Sequence, residues 1–174
     1  MPVRTRRNFL AGAGALATLA AVVSAGASSD WFGLAPKEYA ASPVFTEGGL
    51  AIRGFDPVAY FTEGRPVAGT AEFEADWKGA TWRFASAEHR DAFKADPDRY
   101  APQYGGFCAW AVAAKGRLYS TQPSNWTIVD DRLYLNYNDA IQQRWEADIP
   151  GFIDRGDERW PEIVAEARAA SATS

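Results

Sequence analysis

Cys108 is the only cysteine of the chain and His89 its only histidine. A thiol and an imidazole can serve one protein in three ways. Both can be core residues, since a free cysteine is among the most buried residue types. Together they can hold a soft or borderline cation, with copper and zinc the natural choices for thiolate and imidazole. Or the imidazole can lower the thiol pKa and create a nucleophile, giving a Cys–His thiol enzyme. No Asn or Asp that would orient such a base is evident in the sequence.

Composition narrows the field. With 47% hydrophobic and 14% aromatic residues, seven of them tryptophan, the 174-residue chain can build a core. Residues 1–27 are set aside first. "VRTRRNFLAGAGALATLAAVVSAGASS" places Arg4, Arg6 and Arg7 before a mildly apolar run, with a small-x-small cleavage site at Ala25-Gly26-Ala27. The order Thr5-Arg6-Arg7-Asn8-Phe9-Leu10 resembles that of a twin-arginine export signal, with Ala11 where a lysine often stands. The expectation is therefore a periplasmic protein. The alternative is an anchor left uncleaved in the membrane, because the run is near the length of about 18 apolar residues needed for a span. Removing residues 1–27 takes away three arginines and no acid, so the net charge falls from −4 to −7. So acidic a domain is a poor partner for nucleic acid or anionic lipid. The remaining chain has no methionine, one thiol and one imidazole. That excludes Met-rich copper sites and zinc sites of the Cys₄, Cys₂His₂ or His₃ type, and no P-loop or G-x-G-x-x-G is present.

The elements that must position Cys108 and His89 follow from periodicity. Residues 28–46 read as a linker or arm, rich in Ser, Pro and Ala. Asp56-Pro57 is a turn, and Val58 to Phe61 reads as a strand. "AEFEADWKGATWRFA" alternates toward a bend at Lys78-Gly79 and reads as a hairpin. Ser86 is a helix N-cap with Glu88 in the first turn, and His89 and Phe93 share a face of that helix. Asp96-Pro97 stops it and starts a short turn carrying Tyr100. Tyr104-Gly105-Gly106 is a sharp bend. From Phe107 a strand is expected, with Cys108, Trp110 and Val112 on one face. "WTIVDDRLYLNYN" is a hairpin around Asp130-Asp131. Ile141, Trp145, Ile149 and Ile153 recur every four residues through a break at Pro150-Gly151, and Pro161 reads as the start of a last helix. The fold class expected is α+β: a small antiparallel sheet of hairpins with short helices, and C-terminal helices packed on it, over residues 47–169. Residues 170–174 read as a disordered tail.

A longer stretch carries a resemblance. Asp56-Pro57-Val58-Ala59-Tyr60-Phe61 is followed by Trp82-x-Phe84-x-Ser86. Then come Phe93, Asp96-Pro97-x-x-Tyr100 and Gly105-Gly106-x-Cys108-Ala109. In this order they resemble YHS-domain proteins of the exported bacterial type, strongly over about residues 50 to 112. The resemblance implies a small metal-binding or metal-handling module often linked to copper. Related metal-chaperone modules often read Phe-Cys-Ser-x-x-Cys at the start of the helix. Here those cysteine positions are Ala85 and His89, so only a site built from Cys108 and His89 could remain.

The site expected is therefore Cys108 close to His89, at the mouth of a pocket walled by Tyr60, Tyr104 and Trp110, with Asp56 or a water completing the shell of a copper or zinc ion. The other functional class is a module with no metal, binding a small ligand or a partner protein on its aromatic surface. Trp82, Phe84, Phe93 and Trp110 are expected in one core cluster.

Overall fold

The computed structural model describes residues 43–171. Residues 1–27, read above as an export signal, residues 28–42 of the arm and residues 172–174 of the expected tail lie outside the described residues. Within the arm, Val44 and Phe45 are buried. Phe45 N–H donates to Gly105 O at 2.8 Å, and Phe45 O accepts from Ile52 N–H. These two residues are therefore part of the folded unit.

The fold is α+β. Four strands form a mixed sheet in the order β1 (Thr46–Glu47), β2 (Leu50–Ala51), β4 (Ala80–Phe84), β3 (Thr70–Trp77). The β3–β4 hairpin is antiparallel, as alternation predicted, but β2 joins β4 in parallel through Leu50 and Thr81. A second, two-stranded antiparallel sheet pairs β5 (Gln122–Val129) with β6 (Arg132–Asn136). Both hairpins turn at the expected dipeptides. Lys78 and Gly79 have φ of 49° and 77°, and Asp130 and Asp131 have 49° and 57°. Paired positive φ values match the right-handed twist of the flanking strands.

Three local readings are corrected. Val58 to Phe61 is not a strand: Ala59–Thr62 is a one-turn helix, α1. The Asp56 carboxylate accepts from the N–H groups of Val58 and Ala59 and so supplies the helix start. The segment after Cys108 is likewise helix α4 (Ala109–Lys115), with all five residues from Ala109 to Ala113 buried. An apolar run buried on every side carries no periodicity, and its alanines favour helix. Finally, α6 is continuous over Ile149–Ser171 with Pro161 inside it. Pro150-Gly151, read as a break, is its first turn, where a missing N–H costs nothing. The first two residues of the supposed tail are helical.

Ser86 caps α2 (Ala87–Ala95) by accepting from His89 N–H, and Asp96 caps α3 (Pro97–Tyr100) by accepting from Arg99 N–H. The main core joins Trp82, Phe84 and Phe93 with Val44, Ile52, Tyr60, Leu133 and Leu135. Trp110 is not in that cluster. Carried by α4, it faces Phe152 of α6 at 6.4 Å, and Phe152 stacks on Trp145 of α5 (Asp139–Glu146) at 5.9 Å.

Candidate functional site

Asp56 is a charged side chain with no exposed surface. Its Oδ1 accepts from Val58 N–H at 2.8 Å and Ala59 N–H at 3.3 Å. Its Oδ2 accepts from Ala85 N–H at 2.8 Å and lies 2.6 Å from His89 Nδ1. One carboxylate therefore ties the start of α1, the end of β4 and the first turn of α2. Three backbone donors already point at it, so the fourth neighbour must also donate, which puts the proton on Nδ1 of His89. The other imidazole nitrogen, Nε2, is 3.2 Å from Thr62 Oγ1, and the His89 side chain is 17% exposed. Tyr60 lies within reach of the same charge. Burial first, then Asp56, pushes its hydroxyl well above the ordinary tyrosine range, and that hydroxyl donates to Pro123 O.

Cys108 occupies a different environment. Its sulfur is fully enclosed and lies 3.6 Å from Asn136 Oδ1, and its backbone bridges Leu135 of β6. Desolvation is the largest influence on it and pushes the thiol up to about 12, against the smaller opposing effect of nearby backbone N–H groups. The native thiol thus keeps its proton where an unfolded one ionises. With the folded value above the unfolded one, the contribution to stability is intact below about pH 8.5 and declines as pH rises beyond it. A comparison of wild type with Cys108→Ser in urea from neutral pH to strongly alkaline pH should show the wild type losing more, by up to about 1.4 kcal/mol per pH unit. Parallel pH curves for the two proteins would place the thiol in contact with water.

The six residues expected to form one site divide between several places. Asp56 and His89 meet, and Tyr60 feels the charge of Asp56 while its hydroxyl bonds Pro123. Cys108 is outside their group: among the described residues, no three His, Cys, Asp or Glu side chains are grouped to hold a metal ion. Trp110 lies against Phe152 with the Arg144 and Lys115 cations 5.7 and 6.0 Å from its ring. Tyr104 donates to Ile153 O and to Asp157, both on α6. It sits at φ 53° beside Gly105, whose own φ is 62° and where a side chain would overlap the Pro43 carbonyl.

Tyr104 does line a cavity, though not with the partners expected. A cleft of about 520 Å³ opens between the tip of the β3–β4 hairpin, the residues following α3 and helix α6. Trp77, Trp82, Tyr104 and Trp160 wall it. At its rim Lys78 pairs with Asp98 at 3.0 Å and lies 4.0 Å from the Trp77 ring centre. Arg168 also lines the cleft and makes no ion pair with another described residue. The signal in the sequence was the four-residue spacing of Trp160, Val164 and Arg168. Reading Pro161 as a helix start obscured it, because Trp160 then belonged to a different element.

The sequence profile of the YHS domain matches residues 58–104. The chain carries a YHS domain. The matched span runs from the residue before α1 to Tyr104, so it includes His89 and excludes both Asp56 and Cys108. No curated protein and no solved structure matches the chain. The geometry of the YHS domain bears on the metal implied by the resemblance. Positions 85 and 89, where the resemblance leads one to expect cysteines, both meet Asp56 Oδ2, through the Ala85 backbone N–H and the His89 ring. Ala85 offers no side-chain ligand atom, and the His89 ring donates to the carboxylate through Nδ1. With no ligand atom at position 85 and the only thiol enclosed against Asn136, the described residues do not fit a copper or zinc centre of the kind the resemblance implies.

Proposed function

We propose that the protein is an exported YHS-domain module that binds a small organic ligand in the cleft between the domain and helix α6. The cleft itself carries the proposal. Its volume of about 520 Å³ is within the usual range for small-molecule sites, and among its aromatic lining Trp77 and Trp160 keep partly exposed rings while Trp82 and Tyr104 are buried. Flat aromatic walls favour a planar, apolar ligand body. Export is supported by the twin-arginine pattern at Thr5 to Leu10 and the cleavage site after it. The metal-handling alternative, which the presence of a YHS domain suggests, draws on Cys108 and His89, and the enclosure of the Cys108 sulfur beside Asn136 weighs against it.

The two readings separate in a titration. 8-Anilinonaphthalene-1-sulfonate, an aromatic anion with a flat naphthalene body, should bind the wild-type protein saturably. Trp160→Leu should weaken binding about tenfold, equivalent to about 1.4 kcal/mol. Cys108→Ser and His89→Ala should bind as wild type does. Unchanged binding by Trp160→Leu would sink the cleft reading. Tight zinc or cuprous ion binding that disappears in both Cys108→Ser and His89→Ala would establish the metal reading instead.

A further inference from the structure

Asp56, His89 and Thr62 stand in a line that the cleft does not explain. The buried Asp56 carboxylate accepts the Nδ1–H of His89 at 2.6 Å, and in that tautomer of the neutral ring the lone pair lies on Nε2. Thr62 Oγ1 lies 3.2 Å from that nitrogen. Thr62 is exposed, and the imidazole reaches solvent through its partly exposed edge. An acceptor that orients a base, and a base within hydrogen-bond reach of a hydroxyl, are the geometric signature of an activated nucleophile.

The same carboxylate fixes both halves of the arrangement. Oδ2 holds the base on α2. Oδ1 binds the N–H groups of Val58 and Ala59 and so anchors the single turn of helix whose last residue is Thr62. The Thr62 hydroxyl has a second acceptor in Val58 O, also at 3.2 Å. Its one proton is therefore shared between the two, and only the orientation toward Nε2 is reactive.

We propose that Thr62 and His89 form an acyl-transfer site, with Asp56 as its positioning residue, that acts on activated esters of small carboxylic acids. Thr62 Oγ attacks the ester carbonyl while its proton passes to His89 Nε2. The carbon–oxygen bond to the leaving group breaks, and the departing alkoxide or phenoxide takes the proton from Nε2. The product is an acyl ester on Thr62. A water molecule then attacks that ester, giving a proton to Nε2, which returns it to Thr62 Oγ as the acid departs. The exposed position of Thr62 suits short acyl groups that need no deep pocket. This site is independent of the cleft.

The test uses p-nitrophenyl acetate on the purified protein, reading nitrophenol release together with the acetylated residue by peptide mass spectrometry. The expected result is acetylation of Thr62 and turnover that falls by about 10²-fold in both Thr62→Val and His89→Gln, the lower end of general-base contributions. Thr62→Ser, which keeps the hydroxyl, should retain the activity. Thr62 is exposed, so its variants should fold, and their far-ultraviolet circular dichroism and urea midpoints should match wild type. Acetyl found only on lysines or on His89, or equal rates for wild type and Thr62→Val, would overturn the proposal.

Discussion

Replacing Asp56 with alanine is expected to destabilise the fold by about 3–5 kcal/mol, the range for removing one partner from a buried charge cluster. The volume lost is small and the number of donors stranded is large. Val58, Ala59 and Ala85 N–H groups and the His89 ring all point at this carboxylate. Without it, these buried donors are left unpaired, each at the desolvation cost of an unmade bond. Asp56→Asn should not rescue the loss. Its amide nitrogen would face donors, and an amide that keeps one oxygen cannot accept from both sides. His89→Ala should cost less, because Asp56 keeps three backbone donors and His89 is already partly exposed. Urea unfolding of the three variants decides the matter through the midpoint and slope. A loss below about 1 kcal/mol for Asp56→Ala would show that the four donors find other partners.

Phe93→Ala is the second substitution expected to be severe, at about 3–5 kcal/mol. Phe93 has no exposed surface, and its ring lies 5.1 Å from Trp82, 5.1 Å from Phe84 and 5.7 Å from Trp77. Three rigid rings anchored in a hairpin cannot collapse into the space left behind, so the cavity persists and adds to the transfer loss. Phe93→Leu, which retains most of the volume, should recover more than half of the difference. A cost near zero for Phe93→Ala would mean that the Trp77, Trp82 and Phe84 rings close over the gap.

The parts of this fold that were legible in the sequence are those in which a local rule acts alone. Alternation identified β3 and β4, and dipeptides suited to positive φ located both hairpin turns. The Ser86 cap marked the start of α2, because its side chain bonds the N–H three residues on. Helix α4 was not legible. Its burial on all sides erases the pattern by which a helix is told from a strand. That error carried over to the site, since a strand after Cys108 would have directed the thiol toward α2, whereas the helix places it against β6 and Asn136. Asp56 was read as a turn former and as a last ligand. Its larger role depends on backbone N–H groups up to 29 residues away, which no side-chain motif records. The cleft depends on α6 returning to Tyr104 and Trp77, a long-range contact with no local trace beyond the spacing of Trp160 and Val164.

The contact between Tyr104 and Gly156 has a consequence for how the chain is divided. Tyr104 closes the YHS match, and its hydroxyl bonds Ile153 O and Asp157 on α6. A methyl group at Gly156 would overlap that hydroxyl. The ring end that seals the recognised domain is thus fitted against a helix about fifty residues further along the chain. The stretch defined by sequence kinship is therefore not expected to unfold as a unit by itself. Excised at Tyr104, it would leave a buried hydroxyl and an aromatic face without their counterpart. In the whole protein, the amide protons of α6 near Gly156 and those around Tyr104 should exchange through one cooperative opening, which native-state hydrogen exchange would show as matching opening free energies.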